Sequence, residues 1–121
     1  MKHPLDSLIE DLGREEAVSF ARFILPHLAE RRDALLRLLA QENWREAAAL
    51  AHKTLGTVRG YDDGVLEHLL DRIERQEITA IRQAIFQQNL QRTLDEVLAG
   101  IESWLHRKIR LKKPDHETWP G

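Results

Sequence analysis

The sequence predicts an all-α fold: an up-down antiparallel four-helix bundle with a short extra N-terminal helix. Three observations lead there. Ala, Leu, Glu, Gln and Arg dominate a chain with few aromatics and sparse Gly and Pro, a mixture that favours helix. Apolar residues recur at helical spacing in successive segments, and no segment alternates with the period of a strand. The breaks between the long amphipathic segments are short, which makes sequential helices antiparallel neighbours.

Pro4 to Leu12 read as a first, short helix, with Pro4 in its first turn and Gly13 just past its end. Leu5, Leu8, Ile9 and Leu12 form its apolar face. A longer pattern runs from about Arg14 to Ala40, its inner side carrying Val18, Phe20, Ala21, Ile24, Leu25, Leu28, Leu35, Leu38 and Leu39. Pro26 interrupts it and predicts a kink, since the periodicity resumes beyond the proline. Gln41 to Asn43 form the next break. Asn43 and Glu46 have capping-box spacing, which starts a third helix at Trp44 and carries it to Val58 or Arg59. Gly60 to Gly64 make a turn, and Asp62 or Asp63 caps a fourth helix to about Gln76 with Val65, Leu66, Leu69, Leu70 and Ile73 facing inward. A last pattern spans roughly Thr79 to Ile109, with Ile81, Ile85, Leu90, Leu94, Val97, Leu98, Ile101, Trp104 and Leu105 inside. Trp44 and Trp104 read as packing residues at helix ends.

The 121 residues favour one domain, a helical bundle over 1–113 followed by a flexible tail at 114–121 that includes Trp119. The net charge of −2 gives no sign of a nucleic-acid binder. Basic residues gather at Arg107, Lys108, Arg110, Lys112 and Lys113, but no aromatics interleave them to stack bases, and cations suit the end of a helix. The chain has no cysteine, which excludes disulfides, thiolate catalysis and Cys-based metal sites. The start, MKHPLDSLIEDLG, lacks the apolar run of a signal peptide, and no stretch approaches the length of a membrane span, so a cytoplasmic location is the expectation.

One histidine stands out. On the third helix Ala47, Leu50, Ala51, Thr54 and Val58 share the buried side, whereas His52 falls at about 140° and Gly56 at about 180° from Ala47. Ala48, Ala49 and Gly56 are small neighbours of the ring. Arg45 and Arg59, seven residues to either side, project in nearly its direction. In-line phosphoryl transfer to a ring nitrogen needs an uncrowded approach along the lone pair, and neutral imidazole offers a nucleophilic nitrogen near neutral pH. A solvent-facing histidine beside a glycine is also ordinary surface. The six histidines, His3, His27, His52, His68, His106 and His116, are scattered and form no HxxxH or ExxH pair, so no metal site is expected.

Around this histidine the chain resembles the histidine-containing phosphotransfer (HPt) domains. Their A-H-x-L-K-G pattern is followed by a Gly-containing turn and a helix reading L-x-x-L-x-x-x-L-E. Ala51, His52 and Gly56 match the first part, and Leu66, Leu69, Ile73 and Glu74 match the second at the family's spacing. The resemblance covers about Leu5 to Leu105. Two positions depart from it: the family's lysine three residues after the histidine is Leu55, and its glycine ten residues after is Asp62. A lysine stands at Lys53 instead, about 100° away from His52.

The resemblance implies a phosphorelay protein in which His52 accepts a phosphoryl group from a receiver-domain aspartate and passes it on. Response-regulator receiver domains or a hybrid sensor kinase would be the partners. Mg²⁺ would sit on the receiver, so the chain itself needs no cofactor. Gly56 would give clearance, with Arg59, Arg45 or Lys53 offsetting phosphoryl charge. Ala48, Ala49 and Leu55 would meet the partner. The protein would be a phosphoryl carrier rather than a turnover enzyme. Replacement of the lysine by Leu55 supports an alternative: an HPt-like interaction module that binds a kinase or receiver without transfer.

Overall fold

The computed structural model of the chain describes residues 3–112; the expected tail with Trp119, together with His116 and Lys113, lies outside the described residues. Among these residues the fold is all-helical, with six α-helices, one 3-10 turn and no strand.

Helix α1 (Pro4–Leu12) begins with a reciprocal cap. Nδ1 of His3 accepts the Leu5 N–H at 3.0 Å, and the Asp6 carboxylate accepts the His3 N–H at 3.2 Å. Leu5 is wholly buried, while Leu12 at the far end of the apolar face is exposed. Helix α2 (Arg14–Ala40) is unbroken across Pro26. The proline lies on the exposed face, away from the packed side that Ile24 and Leu28 anchor before and after it.

Helix α3 (Trp44–Leu55) starts where expected, but the Asn43 amide does not cap it. Asn43 Nδ2 instead donates to the carboxylate of Glu46, in the first turn of α3, at 2.7 Å, so side chain meets side chain and no helix amide is capped. Its C-terminus also departs from expectation. Rather than continuing to Val58 or Arg59, α3 stops at Leu55 and the chain tightens into a 3-10 turn at Val58–Gly60. Gly56 and Thr57 are poor helix formers, and the tighter turn still delivers Val58 to the core.

Helix α4 (Val65–Glu74) is followed by the single turn α5 (Ile78–Ile81) and by α6 (Ala84–Lys112). The expected continuous helix from Thr79 is thus two elements, and apolar periodicity does not reveal the break because Ile81 on one side and Phe86 on the other both reach the core. Val65 and Ile85, expected inside, are exposed. Each stands one residue before a buried one, Leu66 and Phe86, and about 100° round the helix from it, so it faces outward.

Packing gathers on two pairs, α3 with α4 and α2 with α6; α2 also packs on α1 and α3. Leu28, Leu35, Leu39, Leu66, Leu70, Ile73, Leu90, Leu94 and Ile101 are completely buried between them. Trp104 does more than fill space. Its indole, fully buried on α6, donates Nε1–H to Asp6 of α1 at 3.0 Å, and Lys108 reaches the same carboxylate oxygen at 3.4 Å. Arg14 at the start of α2 donates to the Lys108 carbonyl at 2.8 Å. Polar contacts therefore fasten the N-terminal helix to the end of α6.

The Trp104 hydrogen bond, assisted by Lys108, holds the Asp6 carboxyl below the usual carboxylate range despite partial burial. Burial holds the His3 imidazole below the usual histidine range. Both folded values lie below the unfolded ones, so the unfolded chain binds more protons and stability rises with pH. Urea unfolding should show stability falling first below about pH 6.5 as His3 is forced to protonate, then again below about pH 4 as Asp6 does. Asp6→Ala, which strands a buried indole N–H, should cost about 2 kcal/mol at neutral pH and flatten the lower limb. An unchanged acid limb in that variant would remove Asp6 from the account.

Candidate functional site

The underside of α3 is small. Ala47 and Ala51 are fully buried, and the buried Thr54 hydroxyl is satisfied by donating back to the Leu50 carbonyl at 2.8 Å. Small residues on the packed side let α3 lie close against α2 and α4. His52 follows Ala51 on the outer side, and 74% of its side chain is exposed.

The ring is nevertheless held. Glu74, the last residue of α4, places Oε2 2.5 Å from His52 Nδ1. A carboxylate offers only acceptors, so Nδ1 carries the hydrogen and donates it. In the neutral imidazole the second nitrogen, Nε2, then keeps its lone pair on an exposed ring. One acid thereby fixes tautomer and ring orientation together, as in other carboxylate–imidazole pairs.

The connector between α3 and α4 sets this meeting. Asp62 accepts three backbone hydrogen bonds, from Gly64 at 2.9 Å, Leu66 at 3.1 Å and Glu67 at 2.9 Å, and so satisfies the N–H groups that open α4. The cap comes from two residues ahead of the helix's N-cap, Gly64, whose φ of +118° only glycine adopts freely. Tyr61 is buried, shares a hydrogen bond with the Thr57 hydroxyl at 3.2 Å and stacks on Phe20 of α2. Gly60 lies so close to that phenyl ring that an added Cβ would sit 2.9 Å from Phe20 Cε2. The connector is thus pinned to α2 at its middle and to α4 at its end.

With the connector fixed, α4 folds back along α3. His52 pairs with Glu74 and Arg59 pairs with Glu67 at 3.7 Å, and each pair is centred on Asp63. Between them lies a groove of about 630 Å³, bordered by Leu55, Gly56 and Arg59 on one side and by Glu67, His68 and Asp71 on the other.

The residues singled out in the sequence fall as follows. Gly56 is exposed and ends α3 with ordinary helical angles. Leu55 is half-buried, packing on the core while it lines the groove. Ala49 is exposed, but Ala48 is buried, so it belongs beneath the surface rather than at a partner-facing rim. Arg45 and Lys53 are exposed on α3. Arg59 is 88% exposed, yet it stands on the 3-10 turn, so the rotation of about 100° per residue that aligned it with His52 does not apply. Glu74 matched the helix pattern without any role attached to it. Its pairing with His52 has no signal in the sequence, because it depends on how the connector turns α4 back along α3. Among the described residues no three His, Asp or Glu side chains converge as a metal centre requires.

Gly56 needs no special backbone angle, and an added Cβ would meet only the Lys53 carbonyl oxygen, at 3.2 Å. Gly56→Ala should therefore leave stability within about 1 kcal/mol of the parent in urea unfolding, alanine being the better helix former. A larger loss would mean that the glycine serves the turn rather than the surface. No protein-family model matches the chain, and comparison with curated proteins and with solved structures likewise gives no match.

Proposed function

We propose that the chain is a histidine phosphotransfer protein of the HPt kind, an up-down antiparallel four-helix bundle that accepts a phosphoryl group on His52 Nε2 from a receiver-domain aspartate and passes it on. The observation that carries this reading is the exposed imidazole with Nδ1 committed to Glu74. An inert surface histidine has no need of a partner that selects one tautomer and leaves the other nitrogen open.

In the transfer, the Nε2 lone pair attacks phosphorus in line with the acyl-phosphate oxygen. The P–N bond forms as the P–O bond breaks, and the receiver's aspartate leaves as a carboxylate. Positive charge developing on the ring is held at Nδ1–H against Glu74, and that proton is released afterwards to solvent. Reversal hands the group to the next receiver. Mg²⁺ on the receiver supplies charge neutralisation at phosphorus. Gly56 leaves room for the donor, and Ala49 with the exposed edge of Leu55 gives the docking surface an apolar centre. The reading carries with it a cytoplasmic location, where receivers and kinases of such relays work.

A second reading has one specific observation in its favour. Leu55 occupies the place of the family's lysine and lines the groove with an apolar side chain, which suits a module that binds a kinase or receiver without accepting phosphate.

Incubation with phosphorylated receiver domains separates the two. The expected product is an acid-labile, alkali-stable phosphate on the chain, absent in His52→Gln. Tight binding without any such phosphate across the receivers tried would favour the binding module and sink the carrier. Glu74→Ala, with helical content unchanged by circular dichroism, should slow phosphoryl uptake by on the order of tenfold, since the correct tautomer is then no longer enforced. Uptake at the parent rate would strip Glu74 of its role.

A further inference from the structure

Among the described residues the groove that begins one turn beyond His52, at Leu55 and Gly56, is lined by one permanently charged cation, Arg59, and that cation is already engaged. Its Nε lies 3.7 Å from Oε2 of Glu67. The contact is single and long, and both partners are open to water, with 88% and 40% of their side chains exposed. Such pairs are weak, worth up to about 1 kcal/mol, or about a fivefold bias. The other acid of the groove, Asp71, is taken up by Arg75 at 3.0 Å. The amides that open α4 offer nothing to an incoming anion, because Asp62 already accepts from Gly64, Leu66 and Glu67.

A phosphoryl group on His52 changes the competition. It brings about two negative charges and several acceptor oxygens, and guanidinium pairs with phosphate bidentately, where the carboxylate at 3.7 Å makes only one loose contact. Seven residues separate His52 and Arg59, a rise of roughly 10–13 Å, so the exposed arginine reaches the phosphoryl group only by leaving Glu67 and extending toward the ring.

We infer that Glu67 is the resting partner of Arg59 and competes with phosphohistidine for it, so that residue 67 sets how long the phosphoryl group lasts on His52. The inference rests on the phosphotransfer reading of His52. In the unmodified protein Arg59 stays with Glu67 and leaves the approach to Nε2 clear for a donor. Once His52 is phosphorylated, Arg59 crosses to the phosphoryl oxygens. There it opposes hydrolysis, in which water attacks phosphorus, the P–N bond breaks, and inorganic phosphate and a reprotonated Nε2 result. Glu67 pulls the other way, keeping the phosphoryl group labile enough to be handed on. It is a positioning residue, acting through Arg59 and never touching phosphorus.

The test uses phosphoramidate as donor, so that no receiver is involved. The whole chain is phosphorylated, the His52 signal is assigned in ³¹P NMR by its absence from His52→Gln, and its decay is followed in the parent, Glu67→Gln, Arg59→Ala and the double variant. Glu67→Gln is expected to lengthen the half-life by about two- to fivefold, the range an exposed pair allows. Arg59→Ala should shorten it, and adding Glu67→Gln to that variant should change nothing further, because the competition is gone. An unaltered half-life in Glu67→Gln, or a lengthening that persists without Arg59, overturns the inference while leaving transfer from receivers unaffected. Conversely, failure of every receiver to donate sinks the carrier reading and leaves this decay measurement readable. A chain whose His52 phosphoramidate does not modify overturns both.

Discussion

The geometry of the candidate site depends on one carboxylate that never touches it. Asp62 gathers the backbone N–H groups at the start of α4, and this fixes where that helix begins and how it is rotated. Because α4 is a rigid rod of only ten residues, its start determines its end, and its end is Glu74. An uncapped helix end leaves several amides seeking partners, so the connector would otherwise be free to settle in more than one way. Tyr61 and Gly60 against Phe20 remove what freedom remains.

An exposed reactive side chain on such a small protein raises a conflict between access and orientation. Burial would order the ring but close it to a macromolecular donor; full exposure would leave both tautomers and several rotamers populated. The arrangement at His52 resolves this with one side-chain contact from a neighbouring helix, while the packed side of α3 is built from alanine and a self-satisfied threonine. Order comes from below and from one flank, and the opposite flank stays open. The cost of ordering is met far from the ring, in the apolar layers shared by α2, α4 and α6.

Much of the helical framework was legible in the sequence, because apolar spacing is a property of one segment at a time. The burial of Leu66, Leu70, Ile73, Leu90, Leu94 and Ile101 follows from it directly. The starts of α1, α2 and α3 were marked instead by Pro4, Gly13 and the Asn43–Glu46 spacing, although Asn43 forms no cap. What escaped depends on contacts between segments. Val65 and Ile85 are apolar residues at the edges of their helices' apolar faces, and it is the adjacent Leu66 and Phe86 that the neighbouring helices cover. The break before α6 is invisible to periodicity, since Ile81 and Phe86 keep the apolar face going across it. Trp104 reads as packing, and only the arrival of α1 supplies an acceptor for its indole. His52 could be placed outward from rotation alone, whereas Glu74 could not be joined to it without the path of the connector. Arg59 shows the reverse error: helical rotation was extended past the point where the helix ends.

The symmetry of the two acid–base pairs about Asp63 has a consequence for how this chain can vary. Surface connections ordinarily tolerate gain or loss of residues at little cost. Here the link between Gly56 and Gly64 is both packed on Phe20 and committed through Asp62 to the start of α4. A gained or lost residue disturbs those contacts and, with them, the placing of Glu74 against His52 and of Glu67 against Arg59. What substitutions in this link must keep is the Asp62 cap and the close fit of Gly60 and Tyr61 on Phe20, which composition alone does not preserve.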